Sequence, residues 1–73
     1  MEIPYRILIF KSLKQANFAA DMDEKISQIL LTTRQTKGKE ADEKLSKKAV
    51  EMIEKGATAE RIIYELEKMY AAL

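Results

Sequence analysis

Twelve carboxylates, thirteen lysines and arginines and three tyrosines are the groups with which this 73-residue chain could do chemistry, since it has no cysteine and no histidine. That composition removes thiolate nucleophiles, imidazole proton shuttles and Cys/His metal ligation. Ser-His-Asp and Cys-His hydrolysis go with them. Paired carboxylates could still act as general acid and base, but here Asp and Glu are interleaved with Lys at helix-surface spacing. No apolar stretch surrounds them that would raise a pKa. What remains is binding through cations, hydroxyls and apolar faces. We therefore expect no enzyme, no catalytic residue, no metal, no cofactor and no small-molecule substrate.

The cations are unevenly placed. Net charge is +1 over the whole chain, yet residues 1–20 carry Arg6, Lys11 and Lys14 against Glu2 alone, a net of +2. This local excess coincides with YRILIFK, an apolar core of Ile7 to Phe10 with a cation at each side. Lys47 and Lys48 lie among acids and read as a solvated helix surface.

The elements that must position these residues follow from pattern. Pro4 suits the start of a strand, and Tyr5 to Lys11 are rich in β-branched and aromatic types, which predicts one strand over about 5–11. Ser12 followed three residues later by Gln15 has the form of a capping box and predicts a helix start at Leu13. From there Leu13, Ala16, Ala19, Ala20, Met22, Ile26, Ile29, Leu30 and Thr33 recur at helical steps, predicting a helix over about 13–35. Asp21 with Glu24 has the same capping form, which leaves open a break near Met22. Gly38 ends the pattern. Ala41, Leu45, Ala49, Met52 and Ile53 predict a helix over about 40–55, closed by Gly56. Ala59, Ile62, Ile63, Leu66, Met69, Tyr70 and Leu73 predict another over about 58–72, with Thr58 as its N-cap. The fold class expected is thus mainly α with one N-terminal β-strand, in a single domain spanning 1–73.

A lone apolar strand leaves both its edges unpaired and invites pairing with another chain. A domain this small also buries only about 60% of its unfolded surface, so oligomerisation is a natural support where disulfides are impossible. Both considerations predict a twofold homodimer in which the strand pairs with its own copy.

YRILIFK followed at once by a capped helix, together with EKGATAERII as a turn and capped helix start, resembles the ribbon-helix-helix family of DNA-binding dimers. The resemblance implies an intertwined homodimer with an additional third helix, a ribbon entering the major groove, and double-stranded DNA as partner. Carried onto this sequence, it makes Arg6, Lys11, Lys14 and Tyr5 the expected DNA contacts, with Lys37, Lys39 and Thr58 as secondary phosphate contacts. The chain's length is also similar to that of small ribbon-helix-helix proteins of archaeal spindle-shaped viruses, which would place it in a host cytoplasm. Neither alternating face of the strand, Arg6-Leu8-Phe10 or Tyr5-Ile7-Ile9-Lys11, is polar throughout. Phosphate contacts and low sequence specificity are therefore expected, as in a transcriptional regulator or genome-associated protein. Edge charges also keep apolar strands soluble, which is a competing role for Arg6 and Lys11. The alternative function is a protein-protein interaction adaptor or inhibitor using the apolar strand or a helical surface. No secretory signal and no membrane span is legible, so an intracellular location without a membrane partner is expected.

Overall fold

The computed structural model describes the backbone of residues 5–73 and the side chains from residue 7 onward. The elements are four helices, α1 (Tyr5–Ala16), α2 (Ala20–Lys37), α3 (Lys39–Glu54) and α4 (Ala59–Ala71). There is no strand among the described residues. The expected strand over 5–11, and with it the two-stranded ribbon, is corrected: Tyr5 to Lys11 form the first seven residues of α1. The proposed start of that strand at Pro4 lies outside the described residues.

The physical reason is period. As a strand, the segment could not sort its side chains, because each alternating face mixed cations with apolar groups. As a helix it does. Ile9 and Leu13 fall one turn apart and are each only 4% exposed, whereas Ile7, Phe10, Lys11 and Lys14 share the opposite, exposed side. β-propensity spans only about 1 kcal/mol between residues, less than burying two large aliphatic side chains contributes at about 1.5–3 kcal/mol each. Tertiary packing therefore overrides local preference. Ser12, expected as an N-cap, sits inside α1 and is half-buried.

The single helix expected over about 13–35 is interrupted, though upstream of Met22. Asn17 takes a left-handed conformation at φ 57°, which Asn tolerates better than most residues, and its N–H donates to the Leu13 carbonyl at 3.3 Å. The chain re-enters helix after Ala19, where Asp21 and Asp23 in the first turn of α2 complement the helix dipole. Gly38 is shared between α2 and α3, at φ 96° and ψ 176°, a region that is essentially glycine's own. A side chain at Gly38 would meet no neighbour within 4 Å, so only the backbone demands glycine there.

α3 closes with a two-bond cap around Gly56 at φ 80°. The Gly56 N–H donates to the Ile53 carbonyl and the Ala57 N–H to the Met52 carbonyl, each at 3.0 Å, the Schellman arrangement. Thr58 then starts α4, its Oγ1 accepting from the Arg61 N–H at 3.2 Å. Thr58→Ala is accordingly expected to cost about 1 kcal/mol, read as a lower urea midpoint with unchanged slope.

α3 is the centre of the packing, touching α1, α2 and α4, while α2 also packs on α4 and α1 has no extensive contact with either. Leu45 and Ala49 of α3, Ile26 of α2 and Ile62 and Leu66 of α4 are wholly buried. The buried Thr33 hydroxyl is satisfied within its own helix, donating to the Ile29 carbonyl at 2.7 Å. The radius of gyration is 11.1 Å, close to the roughly 11 Å of a compact domain of this length. The expected ribbon-helix-helix-like intertwined homodimer with an additional third helix is corrected too: its ribbon needed a strand, and the described residues have none.

Candidate interaction site

Because α1 leans on α3 and leaves α2 largely untouched, an apolar groove opens between α1 and α2 with α3 beneath it. Ile9, Phe10 and Leu13 line it from α1, Ser27, Leu30 and Leu31 from α2, and Asp42 and Ser46 from α3. Exposure sorts these by depth. Phe10 at 59% and Leu31 at 39% form the rim, Ile9, Leu13 and Leu30 the walls, and Asp42 at 5% with Ser46 at 2% the floor. The cavity measures about 140 Å³.

The floor holds a buried carboxylate with loose partners. Arg34, on the α2 side of the groove, donates from Nη1 to Asp42 Oδ2 at 3.4 Å, and the Ser46 hydroxyl donates to Oδ1 at 3.3 Å. Charge-assisted hydrogen bonds of these kinds settle at about 2.5–2.9 Å, so both contacts are long. A carboxylate has about four lone-pair sites. Each Asp42 oxygen thus has one partner, and the carboxylate keeps further acceptor sites at the floor of the groove. Since the Arg34 side chain is 45% exposed, the pair contributes little to stability.

Phe10 joins the groove to the outer side of α1. Ile7 at 53% and Phe10 at 59% are exposed large apolar side chains, and with Lys11 and Lys14 they occupy positions i, i+3, i+4 and i+7 of one helical face. The α1 sequence YRILIFKSLKQA contains no acid. The seam between α2 and α4 is different: a shallow depression there is lined by Asp21, Glu24 and Glu67, with Lys25 among them.

The residues expected from sequence are dispersed. Lys11 and Lys14 are exposed together on α1; Tyr5 and Arg6 belong to the same helix, and their side chains lie outside the described ones. Lys37, the last residue of α2, holds its ammonium 5.6 Å from the centre of the Tyr70 ring, whose hydroxyl is 2.8 Å from Thr36 Oγ1. That cation–π contact competes with any phosphate for Lys37. Lys39 is exposed at the start of α3, and the Thr58 oxygen is occupied by its capping bond. No group of His, Cys, Asp and Glu able to hold a metal ion occurs among the described residues. No helix among them is long and apolar enough to cross a membrane.

Sequence reasoning missed the floor of the groove. Asp42 reads as a first-turn acid of α3 and Ser46 as a surface residue. Their i, i+4 spacing beside the apolar face of Ala41, Leu45 and Ala49 is the only signal of the pair. Phe10 was assigned to a strand face, so its exposure on a helix could not be seen. Comparison with known proteins matched no family model, no curated protein and no solved structure.

Proposed function

We propose that this chain is a non-enzymatic interaction module, an adaptor or inhibitor that receives part of another protein on the outer face of α1 and in the adjoining groove. One observation carries the reading: Ile7 and Phe10 are more than half exposed on a helix that buries Ile9 and Leu13 on its other side. Scattered exposed apolar residues are ordinary, but a pair on one helical face continuous with an apolar groove is the geometry of a receptor for a partner helix. Ordered, closed packing beneath supports it, because the core requires neither residue.

A second reading, double-stranded DNA binding, is favoured by one specific observation. Lys11 and Lys14 are exposed together on a helix without an acid. Against it, Ile7 and Phe10 share that face just ahead of the lysines and would meet phosphates without being buried. DNA binding through α1 would run on phosphate contacts and collapse with salt.

Ile7→Ser/Phe10→Ser separates the two. Both positions are exposed, so the double variant should keep its thermal midpoint to within the change of about 0.5 kcal/mol usual for surface substitutions. A displayed library of helical peptides, selected on the wild-type chain and counter-screened on the variant, should yield clones that bind only the wild type. Recovery of no such clones, with a labelled duplex bound at low salt equally well by both proteins, would replace docking by DNA binding.

A further inference from the structure

We infer that the occupant of the α1–α2 groove is a segment of another protein, acidic where it runs on over α1, anchored by one aromatic side chain of benzene-ring size bearing a hydrogen-bond donor, a tyrosine. The inference rests on the docking reading and names the partner's chemistry.

Charge complementarity selects the acidic character. Lys11 and Lys14 lie on the outer face of α1, beyond the Phe10 rim and away from the groove walls Ile9 and Leu13. A segment that seats its anchor in the groove and continues over Phe10 meets both lysines and no acid of that helix. Opposite charges there steer the encounter and fix register. The same segment is turned away from the other seam of the molecule, where Asp21, Glu24 and Glu67 gather. One surface is therefore selected over the other by charge before any packing occurs.

Size and the polar floor select the anchor. A cavity of about 140 Å³ walled by Ile9, Leu13 and Leu30 matches the roughly 150 Å³ apolar cavity that takes up a single benzene ring. An aliphatic side chain would fill the walls but leave the floor unanswered. Asp42 has two long hydrogen bonds and spare lone pairs, and Ser46 Oγ can accept as well as donate. A phenol O–H reaching the floor gives these acceptors a partner in a site that the ring itself closes to water. Arg34 keeps Asp42 compensated, so a neutral donor fits better than a second cation.

The test uses the intact chain and a short acidic helical peptide with a single central tyrosine, beside the same peptide carrying phenylalanine, which keeps the ring and loses the donor without adding bulk. Because the change is made in the peptide, folding of the protein is not in question. The tyrosine peptide is expected to shift the amide signals of Leu13, Leu31 and Ser46, and the phenylalanine peptide to bind about tenfold more weakly, the loss of one hydrogen bond to a charged acceptor. Equal affinity of the two peptides would overturn the donor-bearing anchor. No shift in the groove from either peptide, while library clones still bind wild type and not Ile7→Ser/Phe10→Ser, would overturn the anchor and leave docking on α1 intact. If neither the peptides nor any clone binds, both readings fall.

Discussion

Lys11→Pro is expected to lower the stability of the folded chain by about 3 kcal/mol, although Lys11 is exposed and buries nothing. Residue 11 is interior to α1 (Tyr5–Ala16), so proline there removes one backbone hydrogen bond and drives its ring into the preceding turn. In a domain of this size each kcal/mol is worth about 4–8 °C of melting temperature, giving a fall of about 12–24 °C. Lys11→Ala is the control and should stay within about 0.5 kcal/mol of wild type. The pair also discriminates secondary structure. Had Lys11 ended an edge strand, proline would be tolerated there, and equal melting of the two variants would take the segment out of α1.

The second large effect is at the centre of the molecule. Leu45 is wholly buried in the helix that touches each of the other three, and Leu45→Ala should cost about 3 kcal/mol through lost transfer energy and the cavity left behind. A chain this short has roughly 4–11 kcal/mol of stability in total, so the loss is a large share of it. Urea unfolding should show a lower midpoint with an unchanged slope, since the surface exposed on unfolding hardly alters. A loss below about 1 kcal/mol would mean that α3 is not the element on which the others pack.

Legibility in the sequence followed the strength of the period. Ala41, Leu45, Ala49 and Met52 in α3, and Ala59, Ile62 and Leu66 in α4, are buried residues spaced at three and four, and glycines mark both ends of α3. The N-terminal segment misled because Ile7, Ile9, Tyr5 and Phe10 are strand-formers by type, while only Ile9, Leu13 and Ala16 carry its helical period. Deciding between them required α3, against which the segment packs, and no local rule supplies a long-range neighbour. The same absence hid the groove. Ser27, Asp42 and Ser46 converge from two helices, and nothing in their own neighbourhoods marks them as facing one another.

A helical N-terminus changes where function can lie. The strand demanded a second copy to satisfy its edges, whereas α1 satisfies its backbone internally and buries Ile9 and Leu13 within the chain. What it leaves outside is a face with two apolar side chains and two lysines. That face, with the groove behind Phe10, is the surface from which binding must be explained.

Backbone chemical shifts and amide NOEs over residues 5–16 in solution test this directly. Helical Cα shifts with sequential amide NOEs, and contacts from Ile9 and Leu13 to α3 within one chain, are expected if α1 packs on α3 and opens the groove. Extended shifts with cross-strand NOEs between two copies of YRILIFK would contradict it and return the segment to a ribbon.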